Sequence, residues 1–291
     1  MALFSDVLLT VDYDRTLTAP DSTIPQRNLE AIRYFMENGG AFTVNTGRSL
    51  PMVQDMLKAV PINVPLLLCN GSAAYDTQTG EVLFLHRIPL DAEQTVHTLM
   101  EMFPDCPIEL QGMKAHYRLK YFPMWDELCK NSSCAHVALA PGEYTEPFIK
   151  ICVFDQLTEP FVSSLFNASQ EEIRRFDTFE QQIVERFGEY CTVYRSAPRI
   201  IDIHAKGVSK GKSARQLQKA LSRKILVCVG DERNDLTMLR EADYPFITGD
   251  SCLAGQFPSV CPCAEGAVAD VIYNKIPEIL EKNLDKQGVS C

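Results

Sequence analysis

Two aspartates, Asp12 and Asp14, stand two residues apart where an apolar run gives out, in "LLTVDYDRTLTAP". In an extended chain residues i and i+2 face the same way, so the pair can address one site beyond the strand end. Two carboxylates this close repel, and one pKa rises unless a cation sits between them. Such a pair suits metal binding, or a division of labour between a nucleophile and a proton carrier. Its bland reading is an Asp turn with a capping role. Thr46 and Gly47 close a second apolar run in "TVNTGRS". A hydroxyl and backbone N–H groups at such a turn can hold an anionic oxygen, or simply cap the next helix. Lys210, in "GVSKGKS", could offset the charge of carboxylates and a phosphate, with Lys206 and Lys212 as rivals. "VGDERND" then brings Asp231, Asn234 and Asp235 to the end of a further apolar run. Clustered aspartates suit Mg²⁺, a hard cation that prefers oxygen ligands.

The elements that must position these residues are legible from periodicity. Val7–Val11, "AFTVNTG", "PLLLCNG" and "KILVCVG" read as short apolar strands buried on both faces. Between them, "STIPQRNLEAIRYFMENGG", "SLPMVQDMLKAV" and "SKGKSARQLQKAL" read as helices, with Pro25 and Pro51 in first turns and Ser49 as a candidate N-cap. Strand and helix in alternation predict a doubly wound, Rossmann-like parallel sheet, whose ligands sit at the carboxyl ends of the strands.

The middle of the chain changes character. From about Val82 to His204 the apolar runs are shorter and more polar, with candidate helices at Asp91–Met102 and Thr178–Phe187. That pattern predicts an inserted α+β domain with an antiparallel sheet. The expected division is core at 1–84, insertion at 85–204, and core again at 205–291.

Bulk properties narrow the partners. The chain has 291 residues, 46% of them hydrophobic and 23% charged, with a net charge of −10. An acidic balance argues against nucleic acid or an anionic membrane as the main partner, but not against a small phosphorylated substrate at a local positive site. No apolar run approaches the ~20 residues of a membrane span. The first residues, with Asp6 among them, lack a signal peptide's basic start. A soluble, cytoplasmic protein is the expectation, and its oligomeric state cannot be read. Eleven scattered cysteines without a C-x-x-C pair read as reduced core residues. Zinc at Cys261 and Cys263 would lack a second ligand pair.

The four clusters, in this order, resemble the four motifs of the haloacid dehalogenase-like superfamily, and among its members the Cof-type phosphatases with a type-IIB cap. The resemblance spans nearly the whole chain. It extends to Asn70-Gly71 after the third strand, to "DIHAKGVSKG" and to "EGAVADVI". It implies a Mg²⁺-dependent phosphatase in which Asp12 is nucleophile and metal ligand, and Asp14 is the general acid/base and lends its backbone carbonyl to the metal. Thr46 and Gly47 would hold the transferring phosphoryl, Lys210 would stabilise its charge, and Asn234 would contact the phosphate. Asp231 would be the acidic metal ligand, with Asp235 in support. The implied substrate is a small phosphorylated metabolite, sugar phosphates first and pyridoxal phosphate or nucleotides behind. A phosphotransferase or phosphomutase would use the same aspartyl-phosphate chemistry, whereas a non-catalytic phosphometabolite sensor should have lost a catalytic group. Two departures stand out. Arg15 occupies a position where the family usually has a small residue, and "YPFITGDSCLAGQFPSV" differs from the usual stretch after the fourth motif. In the insertion His116, Arg118, Lys120, Tyr121 and Trp125 are candidates to face the site, each equally readable as packing.

Overall fold

The computed structural model describes residues 2–118, 120–130, 136–138, 146–156, 161 and 167–286. Its strands are β1 (Val7–Val11), β2 (Ala41–Val44), β3 (Leu66–Leu68), β4 (Ala73–Tyr75), β5 (Val82–Leu85), β6 (Ile108–Gln111), β7 (His116–Arg118), β8 (His136–Ala138), β9 (Lys150–Phe154), β10 (Cys191–Ala197), β11 (Ile200–Ala205), β12 (Ile225–Gly230) and β13 (Tyr244–Ile247). The helices are α1 (Gln26–Glu37), α2 (Leu50–Val53), α3 (Ala92–Met102), α4 (Met124–Lys130), α5 (Gln170–Phe187), α6 (Lys210–Ala220), α7 (Leu236–Glu241), α8 (Ala267–Asp270) and α9 (Ile276–Lys286).

The first sheet runs β13-β12-β1-β2, and every pair in it is parallel. A parallel bridge between Asn45 and Leu67 brings β3 alongside β2. β1 is buried along its whole length, and its alternation sorts the two faces. Val7, Leu9 and Val11 pack toward α1, α8 and α9, while Leu8 packs toward Ala214 and Leu217 of α6 and Met238 and Leu239 of α7. This is the expected parallel core covered by helices on both sides.

The second sheet, ordered β10-β11-β9-β6-β7-β8, is antiparallel except at β7 with β8. Period-2 alternation divides it into two faces of different chemistry. Ile108, Leu110, Tyr117, Ile151, Val153, Ile201 and Ile203 join Val96 and Leu99 of α3 and Phe176 and Ile183 of α5 in one apolar cluster. Glu109, Gln111, His116, Arg118, Lys150, Asp202 and His204 occupy the opposite face, and all are buried. The polar character of these strands in the sequence is therefore one face of a covered sheet. The inserted α+β domain is the cap over a Rossmann-like core. The boundaries we propose for it, 84/85 and 204/205, fall within the last residues of β5 and β11.

Three elements differ from the sequence expectation. The second helix of the cap starts at Gln170, eight residues before the expected Thr178, because Ser169 and Glu172 form a capping box. The run after Ser49 breaks into the single turn α2 and a 3₁₀ turn at Met56–Ala59. β5, read with the middle of the chain, pairs with β4 in a small antiparallel sheet attached to the core. Val82 and Leu83 of β5 are exposed although apolar.

Helices α6 and α7 approach closely enough that a Cβ on Gly211 would lie 2.1 Å from the Thr237 carbonyl oxygen. Gly211→Ala is therefore expected to cost about 1–3 kcal/mol by overpacking and to lower the melting temperature by several degrees. A thermal melt matching the wild type would contradict the close packing that seats the start of α6.

Candidate active site

Strand register builds the floor of the site. Val11 of β1 pairs with Val44 of β2 and with Val229 of β12, so three parallel strands end at one level. The residues that follow them, Asp12, Asn45-Thr46 and Gly230-Asp231, must then converge. Backbone bonds carry the alignment past the strand ends: Asp12 N–H donates to Val229 O and Asn45 N–H to Val11 O.

α6 brings Lys210 to this floor as its first residue, behind the N-cap Ser209. A cation gains nothing from a helix N-terminus, so the helix itself gives no reason for a lysine there. The reason is electrostatic: the buried ammonium lies 2.5 Å from Asp12 Oδ1 and 2.7 Å from Asp235 Oδ1. Burial alone would pull Lys210 down, but the two carboxylates outweigh it and hold the ammonium above its ordinary range. The rivals go elsewhere. Lys206 donates to the Gly188 carbonyl, and Lys212 Nζ lies beside Gly207.

Asp12, Asp231 and Asp235 each offer a carboxylate oxygen within 4.8 Å of the others. Both oxygens of Asp235 are engaged: Oδ1 by Lys210, Oδ2 by the N–H groups of Asp231 and Glu232. Asp231 is held by the Thr16 hydroxyl at Oδ1 and, at its backbone carbonyl, by the Ser251 hydroxyl. Burial raises the Asp12 carboxyl well above the usual carboxylate range, with Lys210 opposing and the Asp235 and Asp14 charges adding to the rise. Burial, reinforced by Asp235, pushes Asp231 up to about 7. Three buried carboxylates thus face one lysine. The excess negative charge and all-oxygen donor set fit a hard divalent cation held by Asp12 and Asp231.

Asp14 does not join this cluster through its side chain. It sits half-buried in the turn Tyr13–Leu17, with its two carboxylate oxygens each 2.8 Å from Nε and Nη2 of Arg48. Residues i and i+2 share a face only along an extended strand, and β1 ends at Val11, so the turn Tyr13–Leu17 carries the Asp14 side chain to Arg48. Arg48 is a site residue the sequence reasoning passed over, although it directly follows Gly47 in "NTGRS". Thr46 is buried, and its Oγ1 accepts from Arg48 N–H. Gly47 is half-buried in the same turn, and Asn234 is half-buried beside Asp235.

Arg15 is placed by its backbone. At φ 59°, ψ 11° it occupies the left-handed region that glycine takes freely, at a cost of about 1 kcal/mol or more for a branched or long side chain. Its side chain is exposed on the side of Cys263, whose thiol donates to Asp250. A small residue is favoured there by conformation, and Arg15 does not enter the metal cluster.

The roof comes from the polar face of the cap sheet. Lys150 Nζ is 3.2 Å from Gly47 O and 2.7 Å from Asp202 Oδ2. His116 Nε2 is 2.6 Å from Ser49 Oγ, so the expected cap of α2 faces the cap domain instead. His204 Nδ1 is 3.0 Å from Ser72 Oγ, and Asn70 Nδ2 is 3.3 Å from His204 Nε2. Of the other cap candidates, Arg118 lies 4.0 Å over the Trp125 ring and pairs with Glu109, which leaves Trp125 buried beneath it. Lys120 donates to Pro104 O, and the Tyr121 ring is exposed with its hydroxyl on Asp126.

A family model described as haloacid dehalogenase-like hydrolase matches residues 9–251. Among curated proteins, the Escherichia coli pyridoxal phosphate phosphatase YbhA is 24% identical over 255 residues, covering 84% of this chain and 88% of that protein. The 5-amino-6-(5-phospho-D-ribitylamino)uracil phosphatase YbjI of Escherichia coli is 25% identical over 242 residues, covering 82% and 83%. A haloacid dehalogenase-like hydrolase from Bacteroides thetaiotaomicron superposes with a TM-score of 0.75 at 18% identity, covering 91% of this chain and 97% of that one. A sugar phosphatase of HAD subclass IIB superposes with a TM-score of 0.70 at 18% identity, covering 92% and 99%. Among the described residues no helix is long and apolar enough to cross a membrane.

The cap–floor contact has its own pH signature. Burial pulls His204 down to about 4, against an ordinary value of about 6.5. Between these values the unfolded chain binds a proton that the folded chain refuses. Stability is therefore fully present above about pH 6.5 and falls as pH drops toward 4, by up to about 3 kcal/mol. His204→Gln is expected to melt lower at pH 7.5 but to lose less stability between pH 6.5 and 4.5, as measured by thermal melts across that range. An unchanged slope would contradict a neutral buried imidazole.

Proposed function

Since the chain belongs to the haloacid dehalogenase-like hydrolase family, we propose that it hydrolyses the phosphate monoester of a small metabolite through a phosphoaspartyl intermediate on Asp12. The observation that carries this reading is the buried Asp12–Lys210 pair, seated at the strand ends beside Asp231. Burial disfavours the Asp12 charge; the Lys210 ammonium opposes that, a bound divalent cation would oppose it further, and the ionised carboxylate is then a nucleophile that needs no separate base.

The proposed steps use this chain's own groups. The substrate phosphoryl sits against Thr46, the Gly47 backbone, Lys210 and Asn234. The Asp12 carboxylate attacks phosphorus and the ester oxygen leaves with a proton from Asp14. A water then gives its proton back to Asp14 and attacks the phosphoaspartate, which releases inorganic phosphate and restores both aspartates. Arg48, two residues after Thr46, holds Asp14 by two hydrogen bonds. Mg²⁺, held by Asp12, Asp231 and the Asp14 backbone carbonyl, would neutralise charge on the phosphoryl oxygens. Asp235 fixes Lys210 and the Asp231 backbone from behind.

YbhA and YbjI are named for pyridoxal phosphate and a phosphoribityl pyrimidine, and a structural neighbour is a sugar phosphatase. Each substrate is a small organic phosphate, and we place sugar phosphates first for this chain.

Phosphate release from p-nitrophenyl phosphate and a panel of sugar phosphates, with and without Mg²⁺, tests the reading. Asp12→Asn is expected to lower kcat by at least about 10³-fold, and EDTA to abolish turnover reversibly. Asp235→Asn is expected to weaken Mg²⁺ activation or activity by about 10–100-fold, as an outer support should. Turnover indifferent to EDTA or to Asp12→Asn would remove the mechanism. Isomerisation of a hexose phosphate with a bisphosphate activator would identify a mutase instead.

A further inference from the structure

The register of the cap sheet fixes what hangs over the Gly47–Ser49 turn. Gln111 lies opposite Lys150 on one neighbouring strand and opposite His116 on the other. Those two neighbours touch the turn at either end, Lys150 at Gly47 O and His116 at Ser49 Oγ. Gln111 therefore stands between them, above the turn that carries Thr46 and Arg48, and it is only 3% exposed.

The chemistry around Gln111 settles which way its amide faces. Glu109 Oε1 lies 2.9 Å from one terminal atom of Gln111, and Glu109 is held well below the usual carboxylate range, burial being outweighed by His116 and Arg118. An ionised carboxylate only accepts, so that terminal atom is the nitrogen. Gln111 Oε1 is left as a buried acceptor with no hydrogen-bond partner.

A second orphan lies on the floor. The Ser72 hydroxyl donates to Ile149 O, so it accepts from His204 Nδ1–H. His204 Nε2 is then an acceptor, and Asn70 turns its nitrogen toward it. Asn70 Oδ1 is left unpartnered, 3.0 Å from where a Cβ on Gly47 would stand. Roof and floor thus each present an unsatisfied oxygen around one turn. Buried polar groups without partners are rare and mark places where a ligand or water completes the site.

The cations around the turn are in the opposite state. Arg118 faces Glu109, Lys150 faces Asp202, and Arg48 faces Asp14. Each is already matched by a carboxylate of the chain, which leaves little attraction for a second phosphate.

We propose that Gln111 determines substrate specificity by accepting a hydrogen bond from a hydroxyl of the leaving group, so that the enzyme selects hydroxyl-bearing monophosphates over bisphosphates. This assignment rests on the phosphatase reading and adds the recognition chemistry of the same site. Asn70 Oδ1 offers a second acceptor from below.

The test compares kcat/KM for sugar monophosphates with that for p-nitrophenyl phosphate, which has no leaving-group hydroxyl to offer. Gln111→Met keeps the length of the side chain and removes both polar atoms. It is expected to lower the ratio of the best sugar monophosphate to p-nitrophenyl phosphate by about 10–100-fold, since a site built around a hydroxyl loses discrimination with the partner. A fall of less than about fivefold overturns the assignment. So does a wild-type preference for fructose 1,6-bisphosphate over fructose 6-phosphate. If Gln111→Met does not fold, the wild type decides. Ribose 5-phosphate and glucose 6-phosphate are compared with their deoxy analogues, and the assignment stands only if removing some hydroxyl costs about fivefold or more. Failure to release phosphate from any substrate would sink the phosphatase reading itself, whereas release with an unmoved ratio would overturn only the role of Gln111.

Discussion

The ammonium of Lys210, buried between Asp12 and Asp235, is the interaction around which the core is arranged. An isolated charge at that depth would be prohibitively costly, and so would either carboxylate without it. The three groups come from the end of β1, the start of α6 and the turn after β12, so their pairing ties the first and last parts of the chain together. It also leaves a deliberate imbalance. Among the described residues no second lysine joins the cluster that holds Asp231, and its three carboxylates could hold a metal ion.

The site needs two layers of different kinds. The floor is rigid because parallel strands of equal reach deliver their loops to one level, and because Asn45 Nδ2, bonded to Lys210 O, joins the end of β2 to α6. The roof is a sheet whose apolar face packs on α3 and α5 and whose other face carries charges paired among themselves. Pairing the charges within the cap lets it lie over the floor without an uncompensated ion. It also hands recognition to neutral groups, whose hydrogen bonds are directional and report the presence of a single hydroxyl.

Strain is kept where function uses it. Cys69 and Asn70 both take positive φ, at 50° and 54°, in the turn that follows β3 and sets Asn70 against Gly47. Arg15 takes a similar conformation in the turn after Asp12. Such backbone persists because the surrounding bonds over-determine it: Cys69 N–H reaches Arg48 O and Asn70 N–H reaches Thr46 O.

The core was largely legible in the sequence. Apolar runs buried on both faces, helices between them and acids at the run ends are all local patterns, and local patterns suffice to place Asp12, Thr46 and Asp231 at one edge of a parallel sheet. Lys210 could be favoured over Lys206 and Lys212 only by motif order, and a distance was needed to separate them physically. The turn of Asp14 toward Arg48 was invisible, because it depends on where β1 stops being extended, which its pairing with β2 and β12 decides. The cap was legible as an α+β insertion but not as a roof. Its strands read as merely polar, since alternation shows that two faces differ without showing what each one meets. The sequence by itself determined the sheet, the insertion and the carboxylates at the strand ends, because these follow from periodicity and residue type. The tertiary structure alone decided that Gln111, His116 and Lys150 stand over Gly47 and Ser49, because that contact joins segments whose closeness no spacing along the chain records.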